Sequence, residues 1–169
     1  MKKLILLLAI ASVAFTVQAQ NKIGHLSVDQ LIASMPETKA AQTQLENEAK
    51  SLEAQMTEMQ SELEKKIQSF RQTEGTMTDL TRETKYNEIQ DLDRRIQEFQ
   101  AKAQESLGRK QEELLIPVLE KAQQAITDVA NENGFTYILD SSQSKGVVVF
   151  NENGIDVTAL VQAKLGIKE

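Results

Sequence analysis

Between Leu45 and Phe70 the apolar residues fall at Leu45, Ala49, Leu52, Met56, Met59, Leu63, Ile67 and Phe70, in steps that mostly alternate between four and three. That spacing keeps one narrow seam of a helix turned toward a partner helix, and it does not suit a strand, whose side chains alternate with a period of two. One step departs from the rule. Met59, Leu63 and Ile67 are four and four apart, which relaxes left-handed supercoiling there. A second series runs through Tyr86, Ile89, Leu92, Ile96, Phe99, Ala103 and Leu107, and it too contains a four-and-four step, at Phe99, Ala103 and Leu107. The stretch between them, Thr73-Glu74-Gly75-Thr76-Met77-Thr78, offers a glycine that permits a reversal and hydroxyls that cap helix ends. The pattern predicts two helices packed antiparallel with a tip near 73–78. Each limb, of about forty residues, would reach roughly 55 to 60 Å at about 1.5 Å per residue.

The limits of this arm are marked by local chemistry. Ser34-Met35-Pro36-Glu37 fits a capping box, in which the serine hydroxyl accepts from the first turn and the glutamate reaches back. Toward the far end of the second helix the apolar face widens through Leu114, Leu115, Ile116, Val118, Leu119, Ala122, Ile126 and Val129, so more than one partner must cover it. Pro117 interrupts that run, as either a hinge of the arm or the first turn of a separate basal helix. Asn133-Gly134 ends the helix, with Phe135 placed to pack back on the last turn. Phe135 to Asp140 alternates as a strand does. After a polar turn through Ser144-Lys145-Gly146, Val147-Val148-Val149-Phe150 reads as a further strand, apolar on both faces and closed by Asn153-Gly154. Asp156 can cap a final helix bearing Val157, Leu160, Val161 and Leu165, stopped by Gly166. Lys22 to Leu26 reads as a short strand and Val28 to Ile32 as a brief helix. The expected fold is thus α+β and mostly α: an arm over 36–132 standing on a small β-rich body assembled from 20–35 and 133–169.

Residues 1–19 have the form of a secretory signal, with Lys2 and Lys3, an apolar run from Leu4 to Phe15 and a small-residue cleavage site at Val17-Gln18-Ala19. Export to the periplasm is the expectation, without stable membrane insertion. The net charge of -6 becomes -8 once the two positive charges of Lys2 and Lys3 are removed, which argues against a nucleic-acid partner. With no cysteine, disulfides and thiolate metal sites are excluded. The seven glycines form neither a GxxxxGK[ST] loop nor a GxGxxG turn, so no phosphate cradle, ATP-driven cycle or cofactor is expected. His25, the only histidine, lacks a second His or any Cys with which to build a metal site and reads as packing. Asp91 and Asp93 stand on an exposed rod without the shaped pocket that paired catalytic carboxylates need. No catalytic residue is assigned.

What remains is binding. Phe70 and Met77 are candidate contacts for flexible apolar clients, together with the tip cations Lys65, Lys66, Arg71, Arg82 and Lys85, which outnumber Glu74, Asp79 and Glu83 by two. Met56, Met59 and Phe70 also lie on the seam and read first as helix-to-helix packing, and Arg94 and Arg95 read as a solvated face pairing with Asp91 or Glu98. Three short strands and two short helices make a poor core, and a segment apolar on both faces needs cover that one copy can scarcely supply. A homo-oligomer is therefore expected, joined through a body in which Ile23, Phe135, Tyr137, Ile138, Val147, Val148, Val149 and Phe150 are the candidates. A coiled spacer or adaptor of the cell envelope is the competing reading, and it would need a fixed partner at each end.

The order of elements, with Ser34-Met35-Pro36-Glu37, Leu114-Leu115-Ile116-Pro117, Ala125-Ile126, Val129-Ala130, Gly134-Phe135-Thr136-Tyr137-Ile138-Leu139-Asp140 and Asp156-Val157-Thr158, resembles the Skp/OmpH family of periplasmic chaperones over essentially the whole exported chain. The resemblance implies a homotrimer whose strands form a shared barrel-like body while three helical hairpins enclose a cavity. It also implies that unfolded outer-membrane proteins are held there. Strongly cationic members of that family contrast with this acidic chain, where positive charge persists only mildly, at the tip.

Overall fold

The computed structural model describes residues 21–150 and 154–167, so the signal segment 1–19 and Asn153 lie outside the described residues. The order of elements is β1 (Ile23–Leu26), α1 (Val28–Ser34), α2 (Pro36–Thr73), a 3-10 turn (Glu74–Thr76), α3 (Asp79–Asn133), β2 (Tyr137–Asp140), β3 (Ile155–Asp156) and α4 (Thr158–Leu165). The helices α2 and α3, of 38 and 55 residues, form the arm, and the half-buried Leu52, Met56, Met59, Leu63, Ile67 and Phe70 make one stripe along α2. On α3 the matching stripe includes Leu92 and Ile96, the buried side chains of the arm's middle. Bridges at both ends tie the pair in antiparallel sense: Lys66 to Glu88 at 3.2 Å near the tip, and Lys121 to Glu37 near the base. The second of these holds the Glu37 carboxyl below the usual carboxylate range through the hydrogen bond from Lys121.

Local boundaries differ from the sequence reading in instructive ways. The break between α1 and α2 falls at Met35, whose φ of -72° and ψ of 133° are the extended values imposed by the following Pro36. Ser34 is therefore the last residue of α1, and its hydroxyl donates to the Leu31 carbonyl at 2.7 Å rather than capping α2. The capping box does not form. At the tip, the reversal is made by Met77 and Thr78 in extended conformation, with the Thr78 hydroxyl accepting from the Thr81 N–H at 3.3 Å. Gly75 sits within the 3-10 turn without positive φ, so its special freedom is not used. Pro117 does not start a separate basal helix, because α3 runs unbroken through it to Asn133. The helix then ends as expected on Gly134, at φ 67°, with the Phe135 N–H bonded to the Ala130 carbonyl at 2.9 Å.

The sheet has the order β2-β1-β3 and is wholly parallel. Ile23 pairs with Tyr137 and Leu26 with Asp140 on one side of β1, and Gly24 with Ile155 on the other. Both edges of β1 are thereby used, which corrects the expected third strand. Val147–Phe150 takes no strand conformation, since no edge of β1 remains for it, and Ile155–Asp156 fills the place instead. One face of the sheet lies on a core of Leu26, Leu31, Met35, Val118, Ala122, Ala125, Val129, Val157 and Val161, drawn from both chain ends and the base of α3.

Gly24 shows how tightly that core closes. A Cβ there would stand 2.9 Å from Val157 Cγ1 and 3.1 Å from the Phe135 ring, so the strand can approach only without a side chain. Replacing Gly24 by Ala should lower stability by about 1 to 3 kcal/mol, the range of overpacked cores, in urea unfolding followed by circular dichroism. An unchanged midpoint would show that the body yields more readily than its packing indicates.

Candidate functional site

Two surfaces carry the residues singled out from the sequence, and the arm separates them. At the tip, Lys65, Lys66 and Lys85 line one shallow groove of about 200 Å³ between α2 and α3, with Glu62, Ser69 and Glu88 beside them. Lys66 is engaged by Glu88, and Arg82 donates to Asp79 at 3.0 Å. Lys65, Arg71 and Lys85 have no carboxylate within 4 Å among the described residues. Arg71 occupies the last turn of α2, where a cation complements the helix dipole. Phe70 and Met77 are half-buried, and the large apolar side chain standing most clear of the tip is one the sequence reading passed over, Leu80, at 75% exposed. It lies off the seam, so periodicity gave it no weight. Farther down, Arg94 donates to Asp91 at 3.0 Å and Glu98 at 3.1 Å, an exposed network of local helix pairs.

The body presents the second surface. Because side chains alternate across a sheet, Ile23 and His25 of β1 share one face with Tyr137 and Leu139 of β2, and the opposite face holds Gly24, Leu26 and Ile138. The outer rung is bare: Ile23 is 44% exposed and its neighbour Tyr137 59%. Phe135 and Ile138 turn the other way and pack against the protomer's own core, Phe135 also lying 4.2 Å beneath the Lys22 ammonium. Val147 and Phe150 are exposed, and Val149 is 94% exposed, the most open large apolar residue described. The eight body candidates thus divide into a bare rung, an apolar strip outside the sheet and a pair partly buried against the body's own core.

Sequence reasoning missed the polar cluster at the carboxyl end of the sheet. Asp140 Oδ1 accepts from the Ser142 hydroxyl at 2.5 Å, the Ser142 N–H at 2.9 Å and the Val28 N–H at 3.2 Å, tying β2 to the first turn of α1. Burial pushes the Asp140 carboxyl up, but the Ser142 hydroxyl and N–H and the Val28 N–H outweigh it and hold the group below its ordinary value. Asp156 is also held low, first by the Thr158 hydrogen bonds and also by His25, its partner in register. The bond from the Val28 N–H to Asp140 and the pairing of His25 with Asp156 join segments more than a hundred residues apart, and no local pattern announces those two, although Asp156 was expected at the start of the final helix. Among the described residues no group of three or more His, Cys, Asp or Glu could hold a metal ion, and no helix is long and apolar enough to cross a membrane.

Residues 22–165 match the family model of OmpH, described as outer membrane protein (OmpH-like). Among curated proteins, the chain is 29% identical over 147 residues to the chaperone protein Skp of Photorhabdus luminescens, covering 85% of each chain. It is also 29% identical over 155 residues to Skp of Yersinia enterocolitica, covering 90% of this chain and 89% of that one. Among solved structures, an OmpH-like outer membrane chaperone of Caulobacter crescentus CB15 superposes with a TM-score of 0.76 at 18% identity, over 87% of this chain and 85% of that one. That likeness speaks to the fold.

The Asp140 cluster makes stability depend on pH in a definite sense. A carboxyl held below its ordinary value of 3.8 contributes fully above that pH, and the contribution is lost as pH falls through the lower folded-state value. Wild type should therefore melt above Asp140→Asn at neutral pH, with the gap in Tm closing on acidification below about pH 4. A gap that persisted to strongly acid pH would show that the charge of Asp140 is not what those donors hold.

Proposed function

This chain belongs to the OmpH-like family of outer membrane proteins, and on that premise we propose that it is a periplasmic chaperone, an ATP-independent holdase that shelters unfolded outer-membrane proteins between its helical arms. The observation that carries the reading is the bare apolar rung of Ile23 and Tyr137 at the root of an arm about 57 Å long. A sheet left open on one face in so small a body calls for cover from further copies, and the open strip Val147–Phe150 offers backbone and side chains for the same purpose. Joining roots brings arms together around a common space. We take the assembly to be a homotrimer, as the family resemblance implies.

Within such a cage each contact is weak. Several arms surround one client, so contacts made by one arm raise the local concentration for the next, and the sum holds what no single arm would. Met77 and Phe70 supply adaptable apolar surface near the tip, and Lys65, Arg71 and Lys85 supply charge without a partner of their own. Release needs no fuel. A client that folds into the membrane gains more free energy than it loses by leaving, so binding only has to be weak enough to permit it.

Dilution of a urea-unfolded outer-membrane barrel protein into buffer with and without this protein, followed by light scattering, tests the activity directly. Aggregation should be delayed at about one oligomer per client, and unchanged scattering would remove the holdase reading in favour of an envelope spacer. The assembly step has its own test in Ile23→Glu and Tyr137→Glu, which place a charge on the bare rung. Both should shift sedimentation toward the monomer with helicity retained, and protection should fall with it. Variants that stayed fully associated would move the interface elsewhere.

A further inference from the structure

The four-and-four step at Phe99, Ala103 and Leu107 has a counterpart in space. Where the seam drifts out of phase, the small Ala103 of α3 and Leu52 of α2 both line a groove of about 500 Å³ on the side of the arm. Its floor is apolar, made by Leu52, Phe99 and Ala103. Its rim is not. Lys102 and Arg109, seven residues apart and so on one face of α3, border the floor. Glu105 lies at helical spacing from each, yet neither cation has a carboxylate within 4 Å among the described residues. Like Lys65 and Lys85 at the tip, these two cations remain available, here beside an apolar trough. Elsewhere on the same helix Arg94 and Lys110 are engaged by carboxylates three or four residues away.

We propose that this mid-arm groove is a client-docking site, taking a short apolar stretch of unfolded polypeptide that carries a carboxylate side chain. The proposal rests on the holdase reading and deepens it by naming what the arm selects. Apolar side chains of the client cover Leu52, Phe99 and Ala103, and its carboxylate meets Lys102 and Arg109. Charge decides the occupant, because Lys102 and Arg109 outnumber Glu105 in the lining, so the groove favours a segment with a carboxylate over one with a cation. Selection of this kind needs no strong site. One charge-assisted contact per arm, repeated around the cage, biases which stretches of a client sit at mid-height.

Two twelve-residue fluorescent peptides that share one apolar sequence and differ only in a central Glu or Lys test the proposal by anisotropy against the purified protein. The Glu peptide should bind about tenfold more tightly than the Lys peptide, a difference of about 1.4 kcal/mol. The double variant Lys102→Glu/Arg109→Glu, exposed at both positions and so expected to fold, should reverse that order. Ala103→Leu, which fills the trough, should weaken the Glu peptide with little effect on the melting temperature. Equal affinity of the two peptides, or an order untouched by the double variant, overturns the proposal. So does cross-linking from position 102 that captures a neighbouring arm of the same protein in the presence of the Glu peptide. Protection of the urea-diluted barrel protein is measured alongside. Absence of peptide selectivity in the wild type with protection intact defeats the groove alone, whereas absence of protection in the wild type defeats the holdase reading beneath it.

Discussion

Everything in this molecule hangs on the pairing of β1, a strand of four residues, with β2 and β3 from the other end of the chain. Parallel neighbours cannot be joined by a tight turn, so a connection of considerable length is obligatory, and here the first connection is the whole arm. Closing a flexible loop of roughly 110 residues would cost on the order of 4 kcal/mol by the logarithmic law. The arm lessens that cost because it is not flexible. Once α2 and α3 pair along their seam, the two ends arrive at the base together, and what remains to be closed is short. Local helix pairing is thus a precondition for the long-range sheet, and the core of Leu26, Val118, Val129, Val157 and Val161 then locks the junction.

Charge follows the same division of labour. Along the arm, ion pairs are exposed and mostly local, as for Arg94 with Asp91 and Glu98, and such pairs add little stability individually. At the base they span more distant parts of the chain, Glu37 with Lys121 and Lys164 with Asp128 and Glu132, and the Asp140 carboxylate accepts from the Val28 N–H of α1. Lys65, Arg71, Lys85, Lys102 and Arg109, which have no carboxylate within 4 Å among the described residues, stand on the arm, while in the body Lys22 is taken up by the Asn133 carbonyl and the Phe135 ring. Long-range electrostatics therefore gathers at the base, and much of the charge available for recognition sits on the arm.

How much of this was written in the local pattern depends on the element. The helices were legible because a seam of mixed threes and fours has few alternative readings over so many turns, and Gly134 and Gly166 stop their helices where left-handed glycines do. The sheet was legible only in part. Alternation identifies a strand but not its partner, so the parallel register of β1 could not be derived, and a strand of two residues such as Ile155–Asp156 is too short to show a period. Val147–Phe150 read as a strand because β-branched and aromatic residues favour one, yet both edges of β1 are taken by β2 and β3 and propensity alone does not pair a segment. The tip positions lay where expected while the means of reversal did not, since extended Met77 and Thr78 do what Gly75 was expected to do. Among the site residues, Lys65, Lys66 and Lys85 share one groove while Arg71 and Arg82 are not part of it, and the bond from the Val28 N–H to Asp140 spans most of the chain and leaves no local trace.

The position of β1 also sets an order on the birth of the fold. β1 holds the centre of the sheet, but both of its neighbours are made more than a hundred residues after it. Until residues beyond 137 are available, the nascent polypeptide can build its rod but has no root, and Leu26 and Leu31 have no cover. A chain cut short anywhere within the arm would be a helical hairpin without a home, and its apolar opening segment would be left exposed to the same quality control that surveys misfolded proteins.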